Sequence, residues 1–180
     1  MADKANRPVA YLGLGANLGD RLHAMRAAIH ALGAHSAINL DLASDVASLY
    51  ESDPIGGPPG QGPYLNSVVR VSTTLTPHEL LDTVLSIEAS LGRVRRQAWE
   101  ARVIDIDLLL YDDLIVSDDG LSLPHPRLHE RRFVLEPLAE IAGEVVHPVL
   151  KLPISELARR ARAEATDQRV TILAGPTWPQ

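Results

Sequence analysis

Trp99-Glu-Ala-Arg-Val-Ile-Asp-Ile-Asp-Leu-Leu-Leu-Tyr111 is the stretch whose reading decides the fold. From Val103 to Tyr111 it is almost wholly β-branched or leucine, as expected of a strand covered on both faces. Two carboxylates, Asp105 and Asp107, interrupt the run. Residues i and i+2 of a strand share a face, which sets these two about 6.6 Å apart along the chain. Adjacent carboxylates repel, and one protonates unless cations hold both. Magnesium takes oxygen ligands and bridges phosphates, so a pair like this can seat two such ions. Arg93, Arg95, Arg96 and Arg102 lie close by in sequence and suit bidentate phosphate binding. Metal carboxylates beside phosphate-binding arginines read as a nucleotide phosphotransfer site. The same residues also allow a purely structural ion-pair network, and the stretch alone does not choose.

Around this strand the chain reads as one soluble unit. It has 180 residues, 46% hydrophobic and 22% charged, enough for one domain with a sizeable core. No apolar run approaches a membrane span and no signal peptide is visible. Cysteine is absent, which excludes thiolate chemistry and disulfides and fits a cytoplasmic protein. The net charge of −6 argues against a broad nucleic-acid surface. Only Lys4 and Lys151 are lysines, while arginines cluster at 93–102 and 127–132. An anionic ligand would meet local positive patches on an acidic protein.

Upstream, a strand from Val9 runs into Gly13-x-Gly15-x-x-x-Gly19, with helical spacing of Leu18, Leu22, Met25, Ile29 and Leu32 up to Gly33. Asn17 or Asp20 can cap that helix. The glycine spacing is one residue too long for a dinucleotide fingerprint, and the chain has no P-loop Gly-Lys-Ser/Thr. One or two short strands follow between 38 and 50. Residues 52–63 form a Pro- and Gly-dense loop, long enough to suggest a lid or binding loop. A strand covers 64–74, with Asn66 offering an amide to a heterocycle edge. Thr76, Pro77 and Glu79 open a helix with a capping box, and Gly92 ends it. Beyond Tyr111 the spacing predicts a short strand or extended arm at 114–116, an extended Pro-kinked segment at 121–127, a helix opened by Pro137, an amphipathic helix at about 153–163 and an edge strand at 170–173.

Seven motifs stand in one order: Tyr11 to Asp20, Tyr50 to Gly56, Tyr64 to Asn66, Glu88 to Arg95, Trp99 to Tyr111, Leu123 to Arg127, and Arg131 to Leu138. The set resembles the 6-hydroxymethyl-7,8-dihydropterin pyrophosphokinase family of folate biosynthesis, from about residue 9 to 148. The resemblance implies an α+β fold with a ferredoxin-like βαββαβ core sheet, in one domain spanning 1–180 with 149–180 as its C-terminal extension. It implies a diphosphotransferase that moves the β,γ-diphosphate of ATP to the pterin hydroxymethyl group and releases AMP. The alternative is a pterin- or nucleotide-binding module with impaired catalysis.

The resemblance also implies residue roles. Two Mg2+ would sit on Asp105 and Asp107, which with Arg95 and Arg102 form the catalytic set. ATP would be held by Glu88, Arg93, Arg95, Trp99, Arg102, Leu108, Leu121, Ser122, His125 and Arg131. The pterin would lie against Gly15, Ser52, Pro54, Ile55, Tyr64, Asn66, Trp99 and Phe133. The expected partners are the pterin and ATP alone, with no nucleic acid or membrane, and a monomer is expected. Four departures stand out: Ala98-Trp-Glu-Ala-Arg102 before the aspartate strand, Leu85 where the family has glutamine, Asp53, and Pro126. The first two would alter how ATP is held, with Arg96 a substitute for the arginine missing at Ala98.

Overall fold

The computed structural model describes residues 7–56, 60–92, 102–118 and 120–180. Two strand–helix units lead to the aspartate strand. Strand β1 (Val9–Ala16) runs through the glycines into helix α1 (Arg21–Ala34). Asp20 caps α1 by accepting from the His23 amide at 3.0 Å, which leaves Asn17 for another task. The short β2 (Ile38–Asn39) and β3 (Leu49–Ser52) precede β4 (Tyr64–Thr73). Helix α2 (Pro77–Ser90) starts with the expected capping box of Thr76 and Glu79. Then come β5 (Asp105–Tyr111), the hairpin β6 (Val116–Asp118) and β7 (Leu121–Leu123), helices α3 (Arg132–Ala142) and α4 (Ile154–Glu164), and β8 (Val170–Ala174).

Among the described residues the main sheet is antiparallel, in the order β5-β1-β4-β3-β8, with β2 on β4. Its four strands from the β1-α1-β3-β4-α2-β5 path give the order expected of a ferredoxin-like core. One core joins the sheet to α1 and α2 through Leu12, Met25, Ile29, Val84, Ile106 and their neighbours. A second joins the opposite face to α3 and α4 through Tyr11, Val68, Leu109, Leu135 and Leu157. Covering both faces is why β5 reads as a continuous apolar run.

Two expectations change. Helix α3 begins at Arg132 rather than Pro137, and the proline lies inside it. Val134, Leu135, Leu138 and Ala142 bury one face of that helix, and this burial outweighs the single backbone bond a proline omits. Residues Leu121–Leu123 are not merely extended but pair with β6. The segment that carries Trp178 is fastened to Ala47 and to helix α1. The buried Trp178 indole donates to Ala47 O at 2.9 Å, and its carbonyl accepts from Arg26 Nε and Nη2.

Candidate active site

The alternation in β5 turns Ile106 and Leu108 toward the α1/α2 core and leaves Asp105 and Asp107 on the other face, half-buried. Register extends this pattern across the sheet. Asp105 pairs with Gly15 and Gly15 with Asn66; Asp107 pairs with Gly13 and Gly13 with Val68. At one strand spacing per step, the carboxylate strand and the Asn66 strand lie roughly 10 Å apart. The glycines between them keep that floor open. A Cβ on Gly15 would stand 3.7 Å from Asn66 Oδ1, and one on Gly13 3.4 Å from Leu109. Above the floor is a cavity of about 410 Å³. It is lined at one end by Asp105, Asp107, Arg102, His125 and Arg131, and at the other by Ser52, Ile55, Tyr64, Asn66 and Phe133.

The second end presents an amide, a phenol and an aromatic face. Asn66 Nδ2 donates to Ser52 Oγ at 2.9 Å, which fixes the amide and turns its oxygen to the Gly15 side. The Tyr64 phenol donates to Gln61 Oε1 at 3.2 Å, and burial raises its pKa. Phe133 supplies an aromatic face, with the Arg131 guanidinium 5.8 Å from its centroid. Helix α3, which carries Phe133, is pinned to β3 because Glu140 accepts from the Ser48 amide at 2.8 Å and from the Tyr50 hydroxyl.

The first end pairs each carboxylate with a guanidinium. Arg102 Nη1 lies 2.5 Å from Asp105 Oδ2, and Arg131 Nη1 lies 3.3 Å from Asp107 Oδ2. Burial pushes the Asp107 carboxyl above its ordinary range, with repulsion from Asp105 adding to the rise. His125 is aimed by a β-bulge. Leu12 pairs with Leu108 and Tyr11 with Leu110, so Leu109 is left over, and its carbonyl accepts from the His125 amide at 2.9 Å. The Arg127 amide donates to His125 Nδ1 at 3.2 Å, which leaves the proton of the neutral ring on Nε2, 3.9 Å from Asp107. Burial is the main cause of a His125 pKa below the ordinary imidazole value.

Other expected residues lie elsewhere. Glu88 is 1% exposed and accepts from the Ile106 amide at 2.7 Å, between the two aspartates. The Leu108 and Leu121 side chains are buried in the α1/α2 core, and Ser122 is exposed on β7. Pro54 lies beside cavity residues Asp53 and Ile55 without lining the cavity itself. Arg93, Arg95 and Trp99 fall outside the described residues, as do Arg96 and the altered Ala98–Ala101 segment. Sequence reasoning missed Gly13, Asn17, Gln61 and Arg127. Asn17 Oδ1 accepts from the Arg102 amide at 2.7 Å and its Nδ2 donates to Gln61 Oε1 at 3.2 Å. Only the cap preference of asparagine was visible in the sequence, and Asp20 satisfies that.

Residues 11–143 match the family described as 7,8-dihydro-6-hydroxymethylpterin-pyrophosphokinase. The chain belongs to this family. It is 48% identical over 137 residues to the 2-amino-4-hydroxy-6-hydroxymethyldihydropteridine pyrophosphokinase of Methylorubrum extorquens, covering 76% of this chain and 84% of that one. It is 42% identical to the Bacillus subtilis enzyme of the same name, covering 76% and 80%. In fold it resembles the solved Plasmodium falciparum HPPK-DHPS, with a TM-score of 0.71 at 16% identity, over 90% of this chain and 44% of that chain. The family is that of the pyrophosphokinase of folate biosynthesis, with ATP as co-substrate, and this chain is an enzyme of that kind. Among the described residues no helix is long and apolar enough to cross a membrane.

Proposed function

We propose that the cavity holds the pterin of 6-hydroxymethyl-7,8-dihydropterin at its Asn66 end and the triphosphate of ATP at its aspartate end. The observation that carries this reading is the Asp105–Gly15–Asn66 row across three strands. It sets a ring-recognising amide and a cation-binding carboxylate on one floor, with no side chain between them. The oxygen of Asn66 would accept from the ring's hydrogen-bonding edge, Ser52 would hold that amide in place, and Phe133 and Tyr64 would flank the ring. Ile55 and Pro54 fit the rim.

At the other end Arg102, Arg131 and His125 Nε2 would bind phosphate oxygens. Arg93, Arg95 and Trp99 would complete the set from the neighbouring segment. The nucleoside would run toward the β6–β7 hairpin, where Leu121 and Ser122 stand, with Leu108 behind it. Glu88 would serve ATP indirectly, by fixing the strand between the aspartates.

Asp105 and Asp107 suit two magnesium ions. Their donors are all oxygen, they open on the cavity, and the raised Asp107 carboxyl marks a site where ionising both groups calls for cations. When bound there, magnesium would offset phosphate charge and lower the pKa of the attacking hydroxyl. The chain's own groups do the rest, mainly by positioning. The hydroxymethyl oxygen bonds to the β-phosphorus, the bond from that phosphorus to the α-phosphate oxygen breaks, and AMP leaves with the electron pair. Asp107 assists in removing the hydroxyl proton. Arg102 and Arg131 spread the charge on the leaving group.

The same reading makes the chain one working domain, 149–180 included, and a cytoplasmic monomer that engages neither nucleic acid nor membrane. The lack of cysteine in all 180 residues supports a reducing compartment. AMP release from ATP and magnesium tests the proposal, with and without the pterin, in wild type and Asp107→Asn. Pterin-dependent AMP that vanishes in a folded variant is the expected result. Full turnover in Asp107→Asn overturns the aspartate assignment, and no AMP from folded wild type would leave a binding module instead.

A further inference from the structure

Each of the two carboxylates faces a guanidinium in the structure. Arg102 stands 2.5 Å from Asp105 and Arg131 stands 3.3 Å from Asp107, each against the Oδ2 oxygen. Both guanidiniums are largely shielded, with side chains 30% and 19% exposed, so these pairs are stronger than surface ion pairs. We propose that Arg102 and Arg131 are built-in counter-ions that keep the aspartate pair closed to divalent cations until a nucleotide arrives, so that cation and nucleotide enter as one cooperative event. This rests on the reading of Asp105 and Asp107 as the cation seat.

Charge balance carries the argument. Among the described residues, these two carboxylates and the two guanidiniums paired with them sum to zero. A divalent cation needs carboxylate oxygens, and a guanidinium already covers one on each aspartate. Binding the cation alone would strand two guanidiniums beside it, in a cavity where charges interact strongly. Binding the nucleotide alone would set about four negative charges against two carboxylates. Together the ligands solve both problems. The aspartates exchange guanidinium for cation, and the guanidiniums exchange carboxylate for phosphate, an acceptor they fit equally well. Arg131 is suited to such an exchange because, among the described residues, its guanidinium is held by Asp107 and by the face of Phe133.

Mn2+ titrations of the full chain followed by electron paramagnetic resonance test this, with and without α,β-methylene-ATP, whose α–β bridge resists cleavage. Wild type should bind Mn2+ alone at least about tenfold more weakly than in the presence of the analogue. Arg131→Met and Arg102→Met should bind Mn2+ alone about tenfold more tightly than wild type and bind the analogue more weakly. Those opposite signs separate the proposal from a folding lesion, which would weaken both. Arg131→Lys keeps the charge and should hold Mn2+ alone near the wild-type level. Unchanged or weakened nucleotide-free Mn2+ binding in both methionine variants overturns the inference. Asp107→Asn tells this failure from failure of the underlying reading. If it loses Mn2+ under both conditions while the arginine variants match wild type, only the counter-ion role falls. If it retains Mn2+, the aspartate seat itself is wrong.

Discussion

Replacing Glu88 probes how the aspartates are held at their spacing. Its carboxylate lies at 1% exposure and accepts from the Ile106 amide at 2.7 Å, between Asp105 and Asp107. A hydrogen bond to a charged acceptor contributes about 1.5–3 kcal/mol, and a buried amide left without a partner costs about 1–3 kcal/mol. These are one effect seen from its two ends, so they are not added. Glu88→Ala should therefore destabilise the ligand-free protein by about 2–3 kcal/mol. For a chain of this size that lowers Tm by about 4–12 °C. Glu88→Gln keeps an acceptor of nearly the same shape and should cost only about 1 kcal/mol. Urea and thermal melts measure both variants, and steady-state kinetics should show kcat falling in the alanine variant more than the KM for ATP rises. A Glu88→Ala stability within about 0.5 kcal/mol of wild type, together with a raised KM for ATP, would refute the reasoning and make Glu88 a direct nucleotide contact.

Asn66→Ala should remove both the acceptor at the pterin end and its bond to Ser52, raising the KM for pterin about 10–100-fold and leaving that for ATP near wild type. Trp178→Ala should cost about 3–5 kcal/mol in a urea melt, because the ring is buried and its N–H holds Ala47 O; Trp178→Phe should recover most of that. The His125 imidazole should titrate below 6.5 by NMR, since burial disfavours its charged form. Because the folded pKa is depressed, its contribution to stability is present above the unfolded value of 6.5 and is lost as pH falls through the folded one. A His125 titration at or above 6.5 in the ligand-free protein would contradict that burial.

The sequence by itself determined the aspartate strand, the capping box at Thr76, the βαββαβ order and the motif set of the family. These are local or periodic signals. Alternation alone puts Asp105 and Asp107 on one face, and the same alternation sends the Leu108 side chain into the core. Tertiary structure decided what depends on partners distant in sequence. The register that lines up Asp105, Gly15 and Asn66 joins three strands, and no spacing within one strand encodes it. The bulge at Leu109 that aims His125 arises only when β5 meets β1. Asn17 reads as a helix cap, yet it holds Arg102 across 85 positions because Asp20 satisfies the helix instead. Pro137 reads as a helix start until the apolar face of α3 is seen packed on the sheet, where burial outweighs the missing backbone bond.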